Sequence, residues 1–271
     1  MELRSTVYSR LSDPTRKIHP LVGTVGFTLP DLEKLVWIEI EKDKLPWMQV
    51  FGSARENWVL CSPDFSPPQP LKIHLKPTSI FNAILIGNKT LTGGDFHLYG
   101  SSGLVILGEN SLQFSPVYLR MWSDSQVFFF GKNSTTNGLH VHIQGGHKSI
   151  VVGDDCMFSS GINIRNSDMH SIVDMRTGAQ KNPPGVILVE PHVWVGQDSL
   201  ITRNTIIGCG SIVGAKSVVT RNVPRFASAA GVPARVVSTE VTWDRLETPR
   251  PETIADLRDL ERSLASQSVV R

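Results

Sequence analysis

One histidine stands where the sequence could place a proton acceptor. His170 lies in the stretch SDMHSIVDMRTGAQKNPPGV, flanked by Asp168 and Asp174 and preceded by Arg165 and Asn166. An imidazole with an ordinary pKa of about 6.5 takes a proton from a hydroxyl or amine near neutral pH, provided a carboxylate or carbonyl fixes its tautomer. Asp168 or Asp174 could serve as that partner, and Arg165, Asn166 and Asp168 are the candidate substrate contacts. A lone loop histidine is also commonly structural or merely exposed, so its position has to carry the argument.

Three further features could do chemistry. His140, His142 and His147 form a short cluster, GLHVHIQGGH, of the kind that on a β-helix can bind zinc between subunits. His140 and His142, two apart on one strand, face the same side, and no third histidine sits at a comparable earlier position, so packed or solvated histidines are the simpler expectation. Trp194, in PHVWVGQ, is too large for a narrow interior and is expected to project outward and line a cleft with His170; His192 beside it reads as structural. Downstream, Lys216, Arg221, Arg225 and Arg235 are either solvated or gathered to hold phosphates.

The elements that must position these residues follow from one periodicity. Val189, Val195, Ile201, Ile207, Val213 and Val219 recur every sixth residue, a spacing that neither a helix nor a lone strand keeps on one face. A six-residue period fits a parallel β-helix, three hexads to a coil. Four residues after each aliphatic position stands a small or β-branched one, namely Val193, Ser199, Thr205, Ser211, Ser217 and Val223, suited to a narrow interior. A looser repeat precedes it: IGNK at Ile86, LGEN at Leu107, FGKN at Phe130 and VGDD at Val152, at spacings of 21, 23 and 22 residues. These read as longer coils of the same solenoid. The His170 loop interrupts the regular hexads just before Val189.

Residues 1–78 show apolar runs at Leu35 to Ile40, Trp47 to Phe51, Trp58 to Cys61 and Leu71 to Leu75 without hexads, and the proline-rich SPDFSPPQP suggests a boundary. The expected organisation is a β-rich N-terminal domain (1–78), a β-helix (79–238) and a C-terminal extension (239–271). Within the extension, residues 251–264 are expected to be helical with Ile254, Leu257, Leu260 and Leu264 on one face.

Composition narrows the classes. The 271 residues are 40% hydrophobic with a formal net charge of +2, which proposes neither nucleic acid nor an anionic membrane as the main partner. The N-terminus MELRSTVYSR lacks a signal-peptide core, and no run approaches the roughly 20 apolar residues of a membrane span, so a cytoplasmic protein is expected. Three widely spaced cysteines, Cys61, Cys156 and Cys209, argue for reduced structural thiols.

The motifs HVWVG, IIGCGSIVGAKSVVTRNVP and AAGVPARVV resemble the C-terminal coils and cap of the left-handed β-helix, or hexapeptide-repeat, acyltransferases. The resemblance covers roughly Ile150 to Val237. IRNSDMH followed by a loop and HVWVG is most similar to bacterial capsular polysaccharide O-acetyltransferases. This resemblance implies an all-β, left-handed coil, a homotrimer and acetyl-CoA bound between adjacent subunits; from the histidine spacing no metal is expected. It implies His170 as the catalytic base and Trp194 beside the acyl-transfer site. Gly214 and Ala215 would meet the pantetheine arm, and Thr220, Arg221 and Arg235 would lie near the nucleotide and phosphates, with Arg221 where lysine is common. The implied reaction is direct attack of a sugar hydroxyl on the thioester. Alternatives are an N-acyltransferase of an amino sugar, a zinc-dependent lyase like the gamma-class carbonic anhydrases using His140, His142 and His147, and a non-catalytic scaffold.

Overall fold

Three parallel sheets wrap one apolar interior in the computed structural model, which describes residues 20–40, 45–53, 55–113 and 115–266. The N-terminal MELRSTVYSR lies outside these residues. The first face stacks Met48–Phe51, Leu71–Leu75, Gly94–Leu98, Val117–Met121, Leu139–Ile143, Ile162–Arg165, Leu200–Ile201 and Val218–Val219. The second stacks Val36–Glu39, Trp58–Cys61, Ala83–Ile86, Leu104–Leu107, Val127–Phe130, Ser149–Val152, Ile187–Val189 and Thr205–Ile207. The third stacks Leu112–Gln113, Thr135–Thr136, Met157–Phe158, Trp194–Val195, Ile212–Val213, Ala227–Gly231 and Ala234–Thr239. The chain visits the faces in that cyclic order, so each coil lays one strand on each.

Both periodicities are parallel register. Val189 pairs with Val152 and Ile207 on the second face, Val195 with Phe158 and Val213 on the third, and Ile201 with Ile164 and Val219 on the first. The looser repeat aligns likewise, Ile86 with Leu107 and Phe130 with Leu107 and Val152. All these aliphatic and aromatic side chains are essentially buried. Each contributes roughly 1.5–3 kcal/mol by leaving water, so stability accumulates from stacking. Some interior hydroxyls bridge coils: Thr90 Oγ1 donates to Gly108 O at 2.6 Å and Ser111 Oγ to Gly131 O at 2.6 Å. At the corner glycines it is close approach that excludes a side chain: a Cβ at Gly108 would sit 2.4 Å from Lys132 N on the next coil.

The boundary expected at residue 78 does not separate two sheets. Met48–Phe51 pairs in parallel with Leu71–Leu75, which pairs with Gly94–Leu98, and Trp58–Cys61 pairs in parallel with Ala83–Ile86. Residues 48–78 are therefore coils of the same solenoid. The prolines of SPDFSPPQP occupy the place of a third-face strand, where missing N–H donors prevent pairing, and this hides the repeat. Val36–Glu39 pairs antiparallel to Trp58–Cys61 at one end, and Ala234–Thr239 folds back antiparallel on Ala227–Gly231 at the other. These pairings cover strand edges that would otherwise be open.

The C-terminal helix α1 spans Thr253–Ser266 and packs on the solenoid. Leu257 and Leu264 are buried and Leu260 partly so, whereas Ile254 is exposed and does not join that face. No helix among the described residues is long and apolar enough to cross a membrane.

Candidate active site

The loop bearing His170 leaves the solenoid at the corner between Ile162–Arg165 of the first face and Ile187–Val189 of the second. Its base is fastened by Asn166, which is fully buried. The Asn166 amide donates to Gln144 O (3.0 Å) and Gly185 O (2.9 Å), and its Oδ1 accepts from Gln144 N (2.8 Å). Asn166 thus ties the loop's start to its end and to the preceding coil. Its polar atoms are spent there, so the sugar contact expected of it is not available.

A second buried asparagine holds the loop's inner turn. Asn182 Oδ1 accepts from Ile172 N at 2.6 Å, while its amide donates to Asp168 Oδ2 and to the carbonyl of His170, each at 2.8 Å. Arg203 Nε reaches the same Asp168 oxygen at 3.1 Å from the next coil. The Asn182 amide, followed by Arg203, holds the Asp168 carboxyl below its usual range. Asp174 accepts from the backbone N–H groups of Arg176 (2.9 Å) and Thr177 (3.0 Å) and meets Lys181 Nζ at 3.2 Å. Those backbone donors and Lys181 lower its pKa, the Thr177 N–H most. Both carboxylates therefore shape the loop, and neither bonds the His170 ring, which is exposed. Met169, just before it, adopts a left-handed backbone (φ 66°) that turns the chain outward at His170.

Trp194 lies on the third face, in register with Met157 and Ile212, and is 37% exposed. Its outward projection agrees with the sequence, but the His170 loop leaves the solenoid at a corner that does not border this face. Trp243 of the C-terminal segment packs 6.4 Å from Trp194 by ring centroids and stacks on buried His192 at 4.3 Å. His192 Nδ1 meets Asp155 Oδ2 at 2.6 Å, and Trp243 Nε1 donates to His192 O at 2.9 Å, so the histidine anchors this segment. Gly214 and Ala215 follow the third-face strand Ile212–Val213, and Gly214 N donates to Ala229 O at 2.8 Å. Thr220 and Arg221 are exposed on the first-to-second corner, two coils beyond the loop, and Arg235 is exposed on the terminal hairpin.

The basic group does not act as one. Arg225 forms a two-bonded pair with Glu190 (Nε to Oε2 2.6 Å, Nη2 to Oε1 2.8 Å), a structural clamp on the last coils. Lys216, Arg221 and Arg235 keep exposed side chains.

The histidine cluster is dispersed. His140 stacks on Tyr118 at 4.7 Å, His142 lies between Arg120 and Arg165 in register, and His147 occupies a left-handed turn. Burial, then Arg120 and Arg165, lowers the pKa of His140; burial, then Arg165 and Arg120, takes His142 down to about 4. Among the described residues of one chain, these three do not gather their ring nitrogens within a metal's reach. Asn182, Arg203 and Trp243 went unmarked in the sequence. Only the adjacent prolines of NPP hinted that Asn182 stands at a fixed turn.

No model of a known protein family matches the chain. Over 122 residues it is 33% identical to a polysialic acid O-acetyltransferase of Escherichia coli O1:K1, a match spanning 45% of this chain and 39% of that protein. It is 30% identical over 146 residues to a protein named as a lipopolysaccharide biosynthesis O-acetyl transferase, WbbJ, of E. coli K12, spanning 51% of this chain and 72% of the relative. The chain thus spans well under half the length of the first relative and about three-quarters of the second. Among solved structures, the polySia-specific acetyltransferase NeuO superposes with a TM-score of 0.52 at 19% identity, covering 83% of this chain and all of that one. The shared fold is the left-handed parallel β-helix.

Proposed function

The chain belongs to the hexapeptide-repeat acyltransferases, and from that membership we propose that it transfers an acetyl group from acetyl-CoA to a hydroxyl of a surface polysaccharide or its precursor. One observation carries this reading: His170 is held by its backbone, through Asn182, on a loop fastened at its base, while its ring stays open to solvent. That is a presented base. The printed names of the relatives, polysialic acid and lipopolysaccharide-biosynthesis O-acetyltransferases, supply the acceptor class.

In the proposed reaction the His170 imidazole takes the hydroxyl proton as the oxygen attacks the thioester carbonyl. The tetrahedral intermediate collapses with cleavage of the C–S bond, and the imidazolium returns the proton to the departing sulfur, giving the sugar ester and free CoA. A covalent acyl-cysteine has no support. Cys61, Cys156 and Cys209 are all buried, and burial pushes the thiols of Cys61 to about 11 and Cys209 to about 12.

Because His170 and Trp194 occupy different sides of one chain, a complete site calls for two copies, the histidine of one beside the tryptophan of the next. The loop is suited to such burial: Ile172, Val173 and Met175 are 55%, 51% and 98% exposed. A homotrimer closes this arrangement, with Gly214, Ala215, Thr220, Arg221 and Arg235 available to acetyl-CoA and Arg165 to an acidic sugar. The cytoplasm, where acetyl-CoA and polysaccharide precursors meet, is the proposed compartment.

Release of CoA thiol from acetyl-CoA, measured against neutral, acidic and amino sugars and their polymers, tests the reading. His170→Ala is expected to lower turnover by about 10²–10⁴ without shifting the melting temperature. Turnover near wild type in that variant, or activity on amines alone, would remove O-transfer by His170. Co-refolding His170→Ala with Trp194→Ala chains should restore part of the activity if the site is shared between copies, and none if each chain holds its own.

A further inference from the structure

Three coils before the loop, the first face carries a cluster that the transfer reaction does not use. His74 stands on Leu71–Leu75, and Asp95 and His97 on the next strand, Gly94–Leu98; parallel register sets His74 opposite His97. The two imidazoles stack with centroids 4.1 Å apart and planes 4° apart, and Phe51 stacks on the other side of His74 at 4.5 Å. Asp95 Oδ1 lies between them, 2.7 Å from His74 Nε2 and 2.9 Å from His97 Nε2. All three donor atoms fall within 4.8 Å of one another.

Hydrogen bonding does not account for this geometry. His74 Nε2 and Asp95 Oδ1 are closed off from solvent, yet neither makes a properly directed hydrogen bond despite their 2.7 Å separation. A buried nitrogen and a buried carboxylate oxygen left in that state are costly unless a further group satisfies both. A cation bound to all three atoms would do so, with the stacked imidazoles turned slightly to bring each Nε2 lone pair onto it. Tyr99 supplies the supporting partner: its Oη lies 2.6 Å from His97 Nδ1. With the Nδ1 proton donated to Tyr99, Nε2 keeps its lone pair free, the tautomer a metal ligand needs.

We propose that His74, Asp95 and His97 form a binding site for a first-row transition-metal dication of the zinc class, tying two neighbouring coils together, with water completing the coordination. Two imidazole nitrogens and one carboxylate suit such an ion, whereas Ca²⁺ and Mg²⁺ call for sets of oxygens. The neighbours sharpen the choice. Lys72 stands opposite Asp95 and Arg120 opposite His97 in register, and these cations would oppose an ion held by charge alone more than one held by nitrogen coordination.

The test uses the full chain without a histidine tag, stripped with chelator and titrated with Co²⁺ and Zn²⁺. One equivalent of Co²⁺ per chain should bind, with visible ligand-field absorption, be displaced by Zn²⁺, and raise the melting temperature. Asp95→Asn, which keeps the side-chain shape, and His97→Gln should each weaken binding by about 10-fold or more, and Tyr99→Phe by less. His142→Gln should leave it unchanged. No saturable Co²⁺ binding, equal binding by wild type and Asp95→Asn, or an equal thermal response to Mg²⁺ would each overturn the site.

Discussion

The first and second faces share one interior and the same coils, yet their outer surfaces are opposites. Second-face strands Ala83–Ile86, Leu104–Leu107, Val127–Phe130 and Ser149–Val152 are buried at every position. Outside them lie Leu21, Phe27 and Leu35 from the N-terminal segment and Leu264 of α1. First-face strands alternate instead, turning His74, His97, Tyr118, Arg120, His140, His142 and Arg165 outward. A strand apolar on both sides is stable only when covered on both, whereas an alternating one can face water. The difference divides the two surfaces: one is covered and contributes stability, while the other stays open to solvent.

The contrast breaks most readily at Phe129. This side chain is fully buried on the outer side of the second face, 6.5 Å from the Phe27 ring. Phe129→Ala should cost about 3–5 kcal/mol in urea unfolding, whereas Arg165→Gln on the open first face should stay within about 0.5 kcal/mol. Similar losses at both positions would mean the faces do not differ in this way. The corner between them is intermediate. Asn166→Leu would orphan the Gln144 and Gly185 carbonyls and the Gln144 N–H, at roughly 1–3 kcal/mol each. It should therefore lower both stability and turnover, unlike His170→Ala, which should lower turnover alone.

How far these regions could be read from sequence follows from their physics. The hexads from Val189 to Val219 were legible because a regular coil repeats one burial pattern at a fixed interval. The coils of residues 48–78 were not, because SPDFSPPQP replaces a strand and the interval slips. His170 was marked by the interruption of a regular pattern. Its support was not, since Asn182 lies 12 residues away and acts through a backbone carbonyl. Asp168 and Asp174 were placed beside His170 because they are near in sequence, but a hairpin-like loop spends near neighbours on its own turns. The polarity of Asn166 suggests a substrate contact and leaves Arg225 either solvated or holding phosphate, but internal hydrogen bonds commit both elsewhere. The cluster of His74, Asp95 and His97 is assembled only by coil stacking, which no local spacing reveals.

The smallest expected effect separates the faces by pH. Partial burial, then the charges of Arg165 and Arg120, lowers the pKa of His142 from 6.5 to about 4. Between those values the unfolded chain takes up a proton that the folded chain refuses, so stability falls as pH drops from about 6.5 toward 4 and then levels off. His140 and His97 are shifted in the same direction, each first by burial, and add to the same limb. His142→Gln should therefore be less sensitive to acid: its urea midpoint should fall less between pH 7.5 and pH 5 than that of wild type. Phe129→Ala should keep the wild-type pH slope despite its much larger loss of stability, because no proton is linked to that packing. If His142→Gln kept the full slope, the acid sensitivity would lie outside this open column of histidines and arginines.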